Sequence, residues 1–174
     1  MLPKQNAVRY EFTMPSTGKK FKYRPFTVRE EKALLLAKES EDLNNKLATL
    51  KTVIEACVEP KVDAEDLSSF DIQYLMILLR TKSVGENVRL GFTCGKCENE
   101  EDIIVDLDLT KIEVIRTEGH TNKIPLFDDV GVIMKYPSIP QVELLEKIQD
   151  DPLKVIDLLA DLIDIIYDAQ ELHH

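Results

Sequence analysis

Residues 14–40 constrain the fold of this chain most, because a turn, a strand, a strand stop and a helix start follow one another there. Residues 15–18, Pro-Ser-Thr-Gly, are typical of a turn. Apolar and polar side chains alternate on both sides of it, over residues 8–13 and 20–24, as they do in paired strands. Pro25 lacks the N–H that would continue a strand ladder. The sequence therefore predicts an N-terminal β-hairpin.

A helix is predicted directly after Pro25. Thr27 and Glu30 have the spacing of a capping box, in which each side chain accepts a hydrogen bond from the other residue's backbone N–H. We expect the helix to end near Ser40. We also expect its leucines to supply the buried face: Leu34, Leu35 and Leu36.

Two more helices are predicted in the middle of the chain. Over residues 42–58, apolar residues recur every three or four positions, and Cys57 lies on that stripe, so we interpret it as a small core residue. Residues 71–81 are apolar on nearly all sides, which is typical of a central core helix, with Ser68 or Ser69 as its cap.

Alternation returns after residue 85 and predicts a second hairpin. The apolar positions of its first strand are Val88, Leu90 and Phe92, and those of its second strand are Ile103, Val105, Leu107 and Leu109. The connection carries Cys94-Gly95-Lys96-Cys97, so both cysteines are expected at the hairpin tip. Residues 112–115 could extend this sheet, residues 118–123 resemble a loop, and residues 130–134 predict another short strand.

The last part of the chain is expected to be helical. One helix is predicted over residues 138–150, with Pro140 in its first turn, and another over residues 151–170. The second helix has a wide apolar arc that the core or a partner must cover. Its acids form a narrow stripe: Asp157, Asp161, Asp164 and Asp168. The residues predicted to bind a partner are Leu158, Leu159, Leu162, Ile163 and Ile166.

These patterns predict an α+β fold with an N-terminal β-hairpin, a helical middle, a second β-hairpin with a Cys-x-x-Cys tip, and two C-terminal helices. Three regions are expected, residues 1–84, 85–136 and 137–174, which could also form one domain. The chain has 174 residues, enough for a substantial core. Its net charge of −10 disfavours nucleic-acid binding. The sequence has no apolar run long enough to span a membrane, so no membrane span is expected. It also shows no signal sequence, so the protein is expected to be cytosolic where it is made.

Cys94 and Cys97 are the sharpest chemical feature of the sequence. Two thiolates on a tight turn can supply half of a tetrahedral zinc site, but two further ligands are needed. His120 is a possible third ligand, and a fourth could come from another copy or another protein. The alternative is a pair of reduced cysteines at a hairpin tip. A zinc-ribbon-like nucleic-acid-binding or regulatory module is therefore kept as an alternative function.

Catalysis is not expected. No Ser/His/Asp or Cys/His arrangement can be identified, and His120 has no partner nucleophile in the sequence pattern. No organic cofactor is predicted either.

Several strings in the N-terminal two thirds of the chain resemble the baseplate hub family of T-even-like tailed bacteriophages. The first is Leu2-Pro3 followed by the hairpin strand and Met14-Pro15-Ser16-Thr17-Gly18-Lys19. The second runs from Tyr23-Arg24-Pro25-Phe26-Thr27-Val28-Arg29-Glu30-Glu31-Lys32 into Leu34-Leu35. The third is Phe70-Asp71-Ile72-Gln73-Tyr74-Leu75, continuing through Leu79-Arg80-Thr81-Lys82-Ser83-Val84-Gly85-Glu86.

This resemblance implies a hub assembly protein or chaperone that acts by protein–protein contact and has no catalytic residues. The implied partners are other baseplate hub or tape-measure proteins, and self-association is possible. The implied location is the cytoplasm of the infected bacterium, and possible retention in the virion baseplate follows from the same resemblance.

Overall fold

The computed structural model describes residues 8–93 and 103–168, and the backbone of residues 172 and 173. Within these residues the protein is a mixed α and β structure with five α-helices and three small antiparallel sheets. The chain divides into two compact units. One is formed by Met1–Ala64 with Ile72–Val114, and the other by Glu65–Asp71 with Ile115–His174. The three-region division made from the sequence stays a prediction.

The first sheet confirms the N-terminal hairpin. Strands β1 (Tyr10–Thr13) and β2 (Lys20–Tyr23) pair antiparallel, and a short strand β3 (Val58–Glu59) joins the other edge of β2. Phe12 and Tyr23 are buried, and their rings meet edge to face at 5.7 Å. One side of this sheet is therefore an aromatic layer of the core.

Helices α1 (Val28–Glu39) and α2 (Leu43–Cys57) lie between β2 and β3 in the chain and pack together. The capping box of Thr27 is confirmed, but the expected burial of the three leucines is wrong. Leu35 and Leu36 are 59% and 63% exposed, and Ala37 is the buried residue of α1. Successive helical residues lie about 100° apart, so three in a row cannot all face one neighbour. Cys57 is buried as expected.

Helix α3 (Ser69–Ser83) supplies two of the most deeply buried core positions. Leu75 and Leu79 are completely buried, as the prediction of a core helix requires, although Met76 and Ile77 are only half-buried. The expected cap is present, because the Ser68 hydroxyl oxygen accepts a hydrogen bond of 3.3 Å from a backbone N–H of the first turn.

The second hairpin is also confirmed. Strands β4 (Asn87–Phe92) and β5 (Ile103–Asp108) form a two-stranded antiparallel ribbon. The Cys-x-x-Cys tip lies outside the described residues. Leu109–Lys111 forms a single 3₁₀ turn after β5, and residues 112–115 are not a strand, so the expected extension of the sheet is wrong. Asp108 favours the turn, since its carboxylate accepts from the backbone N–H two residues later.

The second unit contains a sheet in the order β6 (Lys123–Phe127), β7 (Val130–Met134), β8 (Ile163–Tyr167) and β9 (Leu172–His173). The strand expected at 130–134 is β7. The sequence did not indicate β6, because Pro125 interrupts its pattern. Proline is tolerated there since β6 is an edge strand and one side of it needs no ladder donor.

The final predicted helix is wrong in its extent. Helices α4 (Ile139–Ile148) and α5 (Pro152–Asp161) form the expected pair, but α5 ends at Asp161, and β8 begins two residues later. Residues 163–167 are rich in β-branched isoleucine, which favours strands, and they pair with β7. The four aspartates therefore do not form one helical stripe, because Asp164 lies in β8.

Candidate partner-binding surfaces

The five residues predicted to bind a partner do not form one surface. Leu158 and Leu162 are buried, at 5% and 8% exposure, and Ile163 is half-buried. Leu159 and Ile166 are exposed, at 49% and 44%, but Leu159 lies in α5 and Ile166 in β8. Two of the five are therefore available on the surface, and partner binding by these residues stays a prediction.

Helix α5 has an exposed apolar side in addition to the buried side that contains Leu158. The sequence prediction treated the two sides as one. Leu153, Ile156 and Leu159 recur every third residue and are 75%, 59% and 49% exposed. We call these three residues the α5 stripe. Because Leu158 lies on the buried side, α5 is held by one apolar side and presents another to its surroundings.

A second group of exposed apolar side chains lies on the β4–β5 ribbon. Three cross-strand pairs place six apolar side chains on one side: Val88 with Leu107, Leu90 with Val105, and Phe92 with Ile103. We call these six side chains the ribbon face. Five of them are exposed and Val88 is half-buried. Alternation alone brings them together, because side chains two residues apart share one side of a strand.

Helix α1 provides a third surface, formed by Val28, Leu35 and Leu36, all of which are exposed. The start of this helix is fixed by a charged clamp. The Arg24 guanidinium donates hydrogen bonds of 2.7 and 3.0 Å to the two carboxylate oxygens of Glu30, and two more of 3.0 Å to the carbonyls of Pro25 and Ala56.

The clamp explains the spacing of Arg24, Thr27 and Glu30, because all three take part in it. The same Glu30 carboxylate accepts a 2.7 Å hydrogen bond from the Thr27 backbone N–H. The hydrogen bond from Arg24 lowers the pKa of Glu30 to about 2, so the carboxylate is ionised at neutral pH. The string around Arg24, which carries much of the family resemblance, is thus a structural joint between β2 and α1.

Two depressions lie in the described surface. A groove between α1 and α2 is lined mainly by alanines and threonines, and its ionisable lining residues are Arg29 and Glu30. Glu30 is already bound by Arg24. A shallower depression beside β6 contains Lys123, whose ammonium lies 4.1 Å from the centre of the Tyr167 ring. Neither combines a nucleophile with a base.

The predicted metal ligands Cys94 and Cys97 lie outside the described residues, so zinc binding stays a prediction. Across residues 8–93 and 103–168, His, Cys, Asp and Glu side chains form no group of three or more able to hold a metal ion. Cys57 is 1% exposed, and burial raises the pKa of its thiol to about 11, which makes it a poor nucleophile or ligand.

His120 is exposed and packs on Tyr136. Its Nε2 lies 2.9 Å from the tyrosine hydroxyl oxygen, and the two rings stack at 6.0 Å. The hydroxyl group of Tyr136 is therefore the observed hydrogen-bond partner of this histidine. Among the described helices, none is both long and apolar enough to cross a bilayer.

Together, the described surfaces define a mixed α and β protein with large apolar side chains exposed on α1, the β4–β5 ribbon and α5. Residues 7–174 match the family model described as T4 bacteriophage base plate protein, and the chain belongs to this family. No curated protein and no solved structure matched the chain in the corresponding searches.

Family membership gives the chain a structural or assembly role at the phage baseplate. It implies contact with other baseplate proteins and a location at the virion baseplate.

Proposed function

We propose that this protein is a baseplate hub assembly protein or chaperone that works by protein–protein contact and catalyses no reaction. The observation that carries the proposal is the number of large apolar side chains left exposed on three separate elements, α1, the β4–β5 ribbon and α5. Contiguous exposed apolar patches on soluble proteins mark interaction sites. A protein that must meet several baseplate neighbours needs several such surfaces.

The α5 stripe is the surface we assign to a hub or tape-measure partner. Its three side chains lie on one side of a helix, the arrangement by which amphipathic helices bind apolar grooves or other helices. At about 100° per residue, the exposed residues Lys154, Asp157 and Asp161 fall on one flank of the stripe, where they resemble the polar rim of a contact surface.

A co-expression pull-down with each of the other tail proteins tests this assignment. The wild-type chain should retain at least one of them, and the double variant Ile156→Asn, Leu159→Asn should lose at least ten-fold of that binding, since apolar anchors carry most of an interface's free energy. Asp157→Asn is the matched control, because it places asparagine on the same helix beside the stripe. Equal binding by both variants would show that the stripe is not the contact.

Mass spectrometry of purified tails separates the two forms of the proposed role. A chaperone should be present during hub assembly and missing from finished tails, whereas a hub component should persist at a fixed ratio to the other hub proteins. If wild-type protein binds no tail protein in any pairing, the proposed function is wrong.

A further inference from the structure

Strand β6 is the outer strand of the sheet in the second unit, and several of its side chains are apolar. Within the described residues, β7 pairs with one side of β6 and no strand pairs with the other. Ile124, Leu126 and Phe127 are 44%, 57% and 65% exposed. Apolar edge strands of this kind are the places where another chain adds a further strand, unless the edge is protected. The backbone groups on the outer side of β6 decide whether that addition is open to it.

The ladder between β6 and β7 shows which backbone groups point outward. The backbone N–H of Met134 donates a 2.9 Å hydrogen bond to the carbonyl oxygen of Asn122, and the register then continues without a shift as far as Pro125. In an antiparallel pair, residues that bond to the partner strand alternate with residues whose N–H and C=O point away from it. Asn122 and Ile124 therefore face β7. Lys123 and Pro125 direct their backbone groups to the outer edge.

Both outward donor positions are closed. The backbone N–H of Lys123 already donates a 3.1 Å hydrogen bond to the hydroxyl oxygen of Thr121. Pro125 has no backbone N–H to donate. The register then shifts between Pro125 and Phe127, and such an irregularity also interrupts an edge. An added strand would meet outward carbonyl groups at these two positions but no free donor.

We infer that Thr121 and Pro125 close the outer edge of β6 to strand addition. A carbonyl of an incoming strand would face the pyrrolidine ring of Pro125 instead of an N–H group. Leaving that carbonyl without a donor costs free energy that the other ladder bonds must offset. The exposed side chains of β6 remain open to contact, so this edge can meet another protein through side chains without extending the sheet.

The position of the proline within β6 is specific. One residue earlier, at Ile124, proline would remove a donor that faces β7 and would weaken the sheet itself. At position 125 it removes only an outward donor. Thr121 acts in the same direction at the other outward position, so two unrelated side chains protect one edge. The inference rests on this geometry and does not depend on the hub assembly role.

The double variant Thr121→Ala, Pro125→Val tests the inference, because it restores both outward donors and places a strand-favouring residue at the edge. In sedimentation velocity experiments on the full chain, this variant should self-associate at a roughly ten-fold lower concentration than wild type, with infrared absorption typical of intermolecular strands. Pro140→Val is the matched control. It makes the same change at an exposed proline in the first turn of α4, outside the sheets, and should behave as wild type does.

Amide hydrogen exchange in dilute, monomeric protein tests the geometry without requiring association. In Pro125→Val, the amide at position 125 should exchange quickly while that of Ile124 stays protected. Thr121→Val leaves the proline in place and should speed exchange of the Lys123 amide several-fold, so the test remains decisive if the double variant folds poorly.

Three results would overturn the inference. One is a folded double variant that associates no more than wild type, and another is equal association by Pro140→Val. The third is a protected amide at position 125 in the monomer, or a Lys123 amide whose exchange Thr121→Val leaves unchanged.

Discussion

Arg24 is the residue on which the junction between β2 and α1 depends. Its side chain and that of Glu30 are 24% and 16% exposed, and the guanidinium reaches two backbone carbonyls besides the carboxylate. We expect Arg24→Ala to lower the free energy of unfolding by about 1–3 kcal/mol, because four hydrogen bonds of a partly buried charge are lost. Urea unfolding measures the change. Arg29→Ala, an exposed arginine on α1, should stay within about 0.5 kcal/mol of wild type.

The lowered pKa of Glu30 predicts a pH dependence of stability. The ordinary pKa of 4.5 falls to about 2 in the folded protein, so the unfolded chain takes up this proton first as pH falls. The stabilisation is full above about pH 5 and is lost as pH approaches 2. Wild type should therefore exceed Glu30→Gln by about 1–3 kcal/mol at pH 7, with the difference vanishing towards pH 2.

Urea midpoints measured for both proteins across this pH range check the prediction. Glutamine preserves the cap itself, since Gln141 already accepts the backbone N–H of Ser138 at 2.9 Å at the start of α4. A difference that stays constant with pH would show that the charge of Glu30 contributes nothing.

Gly131 is required by its neighbours across the sheet. A Cβ added at this position would overlap the Tyr167 ring and would lie 2.6 Å from the backbone carbonyl oxygen of Ile124. Gly131→Ala should cost about 1–3 kcal/mol in unfolding experiments, the usual range for overpacking. Adding Tyr167→Ala should recover only part of the loss, because the carbonyl is backbone and cannot turn away. If the double variant recovered all of the lost free energy of unfolding, the steric overlap would lie entirely with the Tyr167 ring.

At the level of elements, α5 separates core from surface most clearly. Leu158 is buried, whereas Ile156, two residues before it, is 59% exposed. Leu158→Ala should destabilise the protein by about 2–4 kcal/mol, and Ile156→Ala by less than about 0.5 kcal/mol. Thermal or urea unfolding of the two variants checks this. Similar losses for both would mean that α5 buries a different side.

Local rules predicted the elements that local interactions determine. The start of α1 was identifiable because Thr27 and Glu30 satisfy each other's backbone N–H groups within four residues. Strands β4 and β5 were identifiable because an apolar residue stands at every second position of each strand. In both cases a neighbour in sequence supplies the structural signal.

Elements that depend on distant pairing were not predictable in the same way. Residues 163–167 follow an amphipathic helix and have the hydrophobicity of its continuation. They become β8 because β7, far away in the sequence, offers an open edge. Likewise, the leucines of α1 could not be divided into buried and exposed positions without knowing where α2 packs.

The candidate surfaces were only partly predictable for a related reason. Alternation identified the ribbon face as one side of a hairpin, but no pattern in the sequence tells whether another layer covers it. The partner-binding prediction on α5 and β8 was made for a continuous helix, so it combined buried Leu158 and Leu162 with exposed Leu159 and Ile166.

For the whole molecule, net charge and apolar surface act in opposite directions. Two copies, each with a net charge of −10, repel one another at low ionic strength. Self-association is one of the interactions that the family resemblance implies, and because the exposed apolar surfaces carry no charge, added sodium chloride should strengthen it by screening that repulsion. Sedimentation at about 0.05 and 0.5 M salt, where the Debye length falls roughly three-fold, checks this. Weaker association at high salt would indicate an interface held by ion pairs.

The position of β8 has a consequence for how the second unit is made during translation. β7 leaves the ribosome early, but the strand that covers its free edge follows only after α4 and α5 have been synthesised. Throughout that interval, the nascent β6–β7 hairpin displays unpaired N–H and C=O groups to other growing chains. If synthesis pauses within α5, the edge of β7 stays open for longer. Another nascent chain could then pair with that edge before β8 covers it.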